Sequence, residues 1–409
     1  MKNEAFQRPP IVCIAQPAWS TGNYVKSTVK LMSELAKWHK VLYVDYPFTW
    51  KDVWQGIRKP GSKPVGDILG FQSRLRREEM AHGQSIHVLT LPPFVPVTWI
   101  QKPQRYDRIN YMNSRRALPV IRSAMQQLDI QAPLVVNAFN PTLGINLIDQ
   151  LGEQKRIYYC YDEIKATKWA GKHGGRLEDL YLPQVDALIT SSVPLRREKS
   201  RLQSHAYTVK NGVDFEHFNQ AIEMKKRGNT ARPFTFGYVG AIDDRIDYHL
   251  LASLAKTLPH TQLLLVGPEK AEADIRRLQA YPNVILTGPK SPHELPALLA
   301  QMDVGLIPFV SNRFTANIYP MKVNEYLAAG LAVISTQFGD MSDFYEIIYL
   351  HEEAEPFIQT AFMLQQGIPE PLVQRGIQFA EQNAWTHRAH QFSDILMEVV
   401  DGQRIQDRM

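Results

Sequence analysis

After residue 233 the chain carries five short apolar runs, "FTFGYVG", "QLLLVGP", "NVILTG", "VGLIPF" and "LAVIST", each giving way to a glycine, proline or polar turn. Amphipathic stretches of helical spacing separate them. This alternation constrains the fold most, because strands joined by helices pair in parallel as βαβ units. The first half shows it too, with runs at Ile11–Ala15, Val41–Val44, Ile86–Thr90, Leu134–Val136, Ile157–Cys160 and Ala187–Thr190. The polar segment "FNQAIEMKKRGNTARP", 218–233, reads as a linker between the two sets. At 409 residues the chain is also too long for one core, since single cores stop growing at roughly 250 to 300 residues. The expectation is α/β, two doubly wound domains in series, at 1–217 and 234–385, with a last helical stretch at 386–409.

In such sheets ligands bind beyond the carboxyl ends of the strands. That rule points to residues 16–26, 240–247, 267–270, 288–291 and 309–322. Residues 51–85, rich in Pro, Gly and Arg, are too irregular for one element and read as a long loop of the kind used as a lid or binding loop.

Charge is uneven: residues 1–210 carry 30 Lys and Arg against 17 Asp and Glu, a net +13, and the remainder is −8. The excess is densest from Lys51 to Arg122, where Trp50, Trp54, Phe71, Trp99, Tyr106 and Tyr111 are interleaved. Basic and aromatic residues mixed in this way suit an anionic membrane surface. Arg74, Arg76, Arg77, Arg105, Arg108, Arg115 and Arg116 form the candidate patch, with a merely solvated basic face as the alternative. No nucleic-acid motif accompanies it, so nucleic acid is not an expected partner. No run reaches 18 apolar residues and no signal-peptide core is visible, so a cytoplasmic protein, peripheral on the membrane's inner face, is expected. Cys13 and Cys160 lie in apolar runs without CxxC partners and read as reduced core residues. The histidines are scattered without ligand spacing, and no metal site is expected.

The stretch "YPMKVNEYLAAGLAVIST" carries the sharpest chemistry. Pro320 suits the first turn of a helix that ends at Gly330, and Val323, Leu327 and Ala328 would face the core. Lys322 and Glu325 then sit in its first turns, where free N–H groups and the positive dipole end attract anions. A phosphate held by Lys322 beside hydroxyls bonded to Glu325 is what a sugar nucleotide asks for; an ordinary surface ion pair would give the same spacing.

This stretch resembles the donor-binding signature of the group 1 (family 4) glycosyltransferases, whose two Rossmann-like domains face across a cleft in the glycosyltransferase B fold. "VDALITSSVPLRREK", "YTVKNGVDFEHF", "FTFGYVGAIDD", "LPHTQLLLVGP", "NVILTGPKSPHELPALLAQMDVGLIPF" and "NAWTHRAHQF" resemble that family's successive blocks in order and spacing. More loosely, the chain is similar to members acting in cell-envelope polysaccharide synthesis, the teichuronic-acid type. The resemblance implies an N-terminal acceptor domain, a C-terminal donor domain and a last helix crossing back to the first. It implies that Glu325 contacts the donor ribose and that position 317 contacts the transferred sugar. There the family has glutamate and this chain has Asn317, which can still hydrogen-bond hydroxyls but brings no charge. The turn "GAIDDRID" offers Gly240 and Arg245 toward the donor pyrophosphate, and "QPAWSTGNYVKS" offers Gly22 for close backbone approach.

Many relatives place a histidine where "LVVNAFNPTLG" here has only Asn137 and Asn140. Asp162, ending the strand in "YYCYDE", is the candidate for activating the acceptor hydroxyl, with a helix N-cap as the alternative role. No DxD motif occurs, which fits neutralisation of phosphate by Lys, Arg and a helix N-terminus. The expected function is a retaining, metal-independent hexosyltransferase that needs no cofactor. It would take a UDP- or GDP-sugar as donor and a hydroxyl of a lipid-linked or polysaccharide acceptor. A sugar-nucleotide epimerase on the same fold and a catalytically silent sugar-nucleotide-binding scaffold are the alternatives.

Overall fold

The computed structural model describes residues 8–19, 26–80, 83–167, 170, 172–228, 232–312 and 314–402. The chain divides into two compact units, one running to Lys210 and resuming at Ala389, the other Asn211–Arg388.

The first unit holds an eight-stranded sheet. Its strands are β1 (Ile11–Ala15), β2 (Val41–Val44), β3 (Leu75–Glu79), β4 (Ser85–Leu89), β5 (Leu134–Ala138), β6 (Lys155–Cys160), β7 (Ala187–Thr190) and β8 (Ala206–Thr208). They lie in the order β3-β4-β2-β1-β5-β6-β7-β8, parallel except for the antiparallel pair β3–β4. Every residue of β1, β2 and β5 is buried, as expected when helices cover both faces of a parallel sheet. Cys13 and Cys160 are free thiols inside this core, and burial pushes both above the usual thiol range.

The second unit holds β9 (Thr235–Val239), β10 (Gln262–Val266), β11 (Val284–Leu286), β12 (Val304–Ile307), β13 (Ala332–Thr336) and β14 (Tyr349–His351). Their order is β11-β10-β9-β12-β13-β14, with every pairing parallel. Both sheets reverse direction of growth next to their first strand, which is the doubly wound pattern.

The structure differs from the sequence reading in two places. Residues 51–85 are not one loop: helices Trp50–Arg58 and Val65–Leu69 and strand β3 occupy most of the segment. A capping box between Thr49 and Asp52 starts the first helix, and Gly70 at φ +82° ends the second. Arg76 then pairs with Asp67 at 2.8 Å, holding β3 to that helix. The expected linker 218–233 is mostly the helix Phe215–Arg227, which buries Phe218 and Ala221 in the core of the second unit. The chain passes between units earlier, at Lys210–Asn211.

The last helix, Trp385–Asp401, belongs to the first unit from Ala389 onward. Ala389, Phe392 and Leu396 are fully buried there, and Phe392 meets Tyr159 edge-on at 5.4 Å. His39 fixes the packing: one ring nitrogen reaches the Pro9 carbonyl at 2.7 Å and the other the Ser393 hydroxyl at 2.6 Å.

Two buried groups in this unit give opposing pH effects. Burial lowers His39 to about 4, so the folded state binds fewer protons than the unfolded chain between pH 4 and 6.5. Its stabilisation is complete above 6.5 and falls by about 3 kcal/mol as pH drops to 4. Burial raises Asp45 to about 6 against bonds from the Trp19 and Tyr46 N–H groups, so its contribution is complete at low pH and is lost as pH rises through 6. Asp45→Asn should therefore stabilise the protein by about 2 to 3 kcal/mol at pH 7, an advantage that vanishes near pH 4. Urea unfolding at the two pH values measures it; a constant difference would mean that Asp45 keeps its ordinary acidity.

Candidate functional site

In the second unit the turns after three strands converge. The Gly240 N–H, just past β9, donates to the Val266 carbonyl at 2.8 Å, and the Gly267 N–H, just past β10, donates to the Gly288 carbonyl at 3.0 Å. Gly267 has φ +149°, and a Cβ there would overlap the Gly240 carbonyl oxygen. Lys322 reaches the same turn, since a Cβ on Gly240 would overlap its Cε. Two bare backbone turns and an ammonium group thus share one spot.

The helix Met321–Ala328 brings that ammonium in. Pro320 precedes it, Val323, Leu327 and Ala328 are buried, and Gly330 at φ +70° closes it, as the sequence implied. The Tyr326 hydroxyl accepts the Val239 N–H at 2.8 Å, which ties the helix to the end of β9. Lys322 and Glu325 are half-buried, and neither side chain makes a hydrogen bond or ion pair among the described residues. Burial pushes Lys322 below the usual lysine value, with the Arg245 charge adding to the effect and Glu325 opposing it. Burial pushes Glu325 up, against the pull of Lys322. Opposite charges left underused at the mouth of a sheet can accept a ligand with an anionic part and a hydroxylated part.

Arg245 is less available than its sequence position suggested. Its Nε and one terminal nitrogen both bond to Asp243, at 2.9 and 2.8 Å, and its plane lies over Phe309. Burial opposes ionisation of Asp243, but the Arg245 bonds outweigh it and hold the carboxylate below its usual range. Asp247 caps the helix Tyr248–Thr257 by accepting the Leu250 N–H at 2.9 Å. Two of the three acids in "GAIDDRID", Asp243 and Asp247, therefore orient an arginine and start a helix. Asn317 ends the short turn Thr315–Asn317, which Thr315 anchors by donating to the Val310 carbonyl at 2.7 Å.

In the first unit Asp162 follows β6, and its carboxylate accepts the Glu163 N–H at 2.8 Å. Glu163, not Asp162, caps the turn Ile164–Ala166. Gly22 lies outside the described residues. Asn137 and Asn140 are structural: Asn137 brackets the Asn140 peptide, bonding its N–H at 2.8 Å and its carbonyl at 3.0 Å, and Asn140 reaches the Ala15 carbonyl at the end of β1. Between them Phe139 is buried at φ +59°, a strained conformation for a bulky residue. The seven arginines of the basic patch split. Arg76 and Arg77 pair with acids and Arg74 bonds the Ile68 carbonyl. Arg105, Arg108, Arg115 and Arg116 are exposed on the helix Pro103–Gln127 and have no ion pair among the described residues.

Sequence reasoning missed Asp45. It ends β2 in "YVDYP", is 1% exposed and leaves one carboxylate oxygen without a partner while the other holds the Trp19 N–H at 2.7 Å. A lone acid closing an apolar strand was the available signal.

Residues 233–375 match the family model described as glycosyl transferases group 1. Over these 143 of its 409 residues the chain is similar to that family. The Bacillus subtilis protein TuaH, named as a teichuronic acid biosynthesis glycosyltransferase, is 28% identical over 182 residues. That match covers 42% of this chain and 46% of TuaH, so the chain spans about half the length of the curated relative it matches. Among solved structures, sucrose-phosphate synthase of Thermosynechococcus elongatus covers 97% of this chain and the whole of its own, at 17% identity and TM-score 0.69. Anabaena HepE, in complex with UDP and glucose, covers 96% of this chain and the whole of its own, at 14% identity and TM-score 0.63. Likeness at this coverage shows the glycosyltransferase B fold. Gly240, Gly267, Lys322 and Glu325 all fall within the residues that match the family model.

Proposed function

We propose that the protein moves a sugar from a UDP- or GDP-sugar to a hydroxyl group of a lipid-linked or polysaccharide acceptor, with retention and without a metal ion. The observation that carries the reading is Lys322 and Glu325, half-buried and without hydrogen-bond partners among the described residues, beside the touching turns of Gly240 and Gly267. Lys322, the helix N-terminus and Arg245 take the pyrophosphate charge, Glu325 holds the ribose hydroxyls and Asn317 meets the sugar. Asp162 orients the acceptor hydroxyl. The TuaH name supports an envelope polysaccharide product, and the UDP and glucose of the HepE structure support a uridine nucleotide donor. The four unpaired arginines of the helix Pro103–Gln127 are the part of the basic patch that faces an anionic membrane from the cytoplasmic side. No helix among the described residues is long and apolar enough to cross one.

The test is thermal stability against UDP, GDP and their sugar conjugates, followed by detection of hydrolysis or transfer. A ligand at 100 times its dissociation constant stabilises by about 2.7 kcal/mol. Glu325→Gln should weaken nucleotide binding by roughly 1 to 3 kcal/mol through loss of a charged acceptor; unchanged affinity would remove Glu325 from the site. Binding without turnover would move the reading to the silent scaffold, an epimerised donor to the epimerase. A chelator should leave the transfer rate unchanged, and its loss would end the metal-free reading.

A further inference from the structure

The helix Pro103–Gln127 separates two concave surfaces of the first unit. On one side a cavity of about 420 Å³ lies past the carboxyl ends of β1, β2, β4 and β5, and Tyr106, Asn110 and Asn113 face it from the helix. The Asn113 amide bonds both the N–H and the carbonyl of Val95 at 2.9 Å, which fixes the loop forming the opposite wall. Gln16, Tyr46 and Gln55 also line it, with side-chain polar groups that bond nothing among the described residues. On the neighbouring side a groove of about 550 Å³ runs along Trp99, Ile109 and Met112, with Lys102, Arg105 and Arg108 among its lining and no acidic residue there.

The groove is preorganised. Trp99 is 69% exposed, yet its indole N–H is already spent on the Pro96 carbonyl at 3.1 Å, so the ring presents only its apolar surface. Met112 is 56% exposed beside it. Lys102, Arg105 and Arg108 have no ion pair among the described residues, whereas Arg76, Arg77 and Arg176 of the same unit each meet a carboxylate. Three unpaired cations along an exposed apolar strip match a ligand whose anionic group is joined to a hydrocarbon chain. Loop and helix both run without a break from groove to cavity, so such a ligand would continue into a space large enough for a sugar, where Gln16, Tyr46 and Gln55 offer polar groups.

We infer that this surface binds the acceptor, and that the acceptor is a saccharide joined through phosphate to a lipid: hydrocarbon on Trp99, Ile109 and Met112, phosphate on Lys102, Arg105 and Arg108, saccharide in the cavity. The inference rests on the transferase reading above and narrows its acceptor to one class.

Calorimetric titration with farnesyl diphosphate, farnesol and inorganic pyrophosphate tests it, run on the whole protein, Arg105→Gln/Arg108→Gln and Trp99→Ala. Farnesyl diphosphate should bind at least ten-fold tighter than either fragment. Each variant should lose at least ten-fold while melting at the wild-type temperature and keeping its shift with UDP. Equal binding of pyrophosphate and farnesyl diphosphate would reduce the surface to an anion patch and overturn the inference. So would binding to phosphatidylglycerol vesicles without binding to farnesyl diphosphate in solution, which is a membrane face and not a ligand groove. A UDP shift with no farnesyl diphosphate binding sinks this inference alone; absence of any nucleotide shift sinks the transferase reading beneath it.

Discussion

Lys199→Met should destabilise the protein by about 3 to 5 kcal/mol at pH 7, because it leaves buried carboxylates facing one another without their cation. Lys199 is 2% exposed at the end of the helix Val193–Lys199 and sits between Glu178 at 2.7 Å and Glu163 at 2.9 Å. Glu178 also accepts the Tyr158 hydroxyl at 2.9 Å. Burial opposes the charged lysine, but Glu178 and the groups beside it more than offset that and raise its proton affinity. Burial pushes Glu178 above the usual range even with the lysine present. Glu163 is held below the usual range, where burial is outweighed by Lys199. In the variant both acids lose that cation and rise, so the folded state binds more protons than the unfolded chain at mildly acidic pH, and part of the loss should return at pH 5. Urea unfolding at pH 7 and 5 measures both effects. A loss under 1 kcal/mol at pH 7 would mean that the cluster adds no stability, and a loss independent of pH would place the cost in packing. Because Glu163 caps the turn that follows Asp162, a weakened cluster should also slow transfer more than it weakens nucleotide binding.

Gly267→Ala is the second large effect, about 3 to 5 kcal/mol, combining a left-handed backbone forced on a residue with a Cβ and overlap with a carbonyl oxygen that has little room to retreat. The Gly240 carbonyl belongs to a turn whose own N–H is fixed to Val266, so relief requires β9 and β10 to part at their ends. Thermal unfolding should drop by several degrees, and the nucleotide shift should vanish in whatever protein remains folded, since the two turns would no longer touch beside Lys322. A variant that melts normally and still responds to UDP would show that the turns separate without cost and that their contact does not build the site.

Which parts of this were legible in the sequence follows from how far apart the determinants lie. The strands of both units announce themselves locally, because a strand buried on both faces must be apolar along its length. The helix bearing Lys322 and Glu325 is equally local, fixed by a proline at one end and a glycine at the other. What failed to show were features decided by distant partners. β3, "LRREE", carries four charges in five residues and is a strand only because β4 offers it an edge. The helix Phe215–Arg227 looked like a linker because its exposed face is polar, and its buried Phe218 and Ala221 matter only once the second core exists. Glu163, Glu178 and Lys199 stand on three elements, and nothing in their spacing says that they meet. Arg245 was visible as a cation, but nothing in the spacing said that the Asp243 carboxylate two residues earlier orients it.

The last helix carries a consequence for how the protein is made. The first unit, although begun at the amino terminus, is not complete until Ala389 and the residues after it have been synthesised, whereas the second unit has all of its own strands by then. At roughly 5 to 20 residues per second, the stretch from Asn211 to Arg388 occupies the ribosome for about 10 to 35 seconds, during which the larger sheet waits without the helix that covers Tyr159 and His39. The half of the molecule that is started first is therefore finished last, and the apolar strip awaiting Phe392 and Leu396 is where a chaperone would be needed during synthesis.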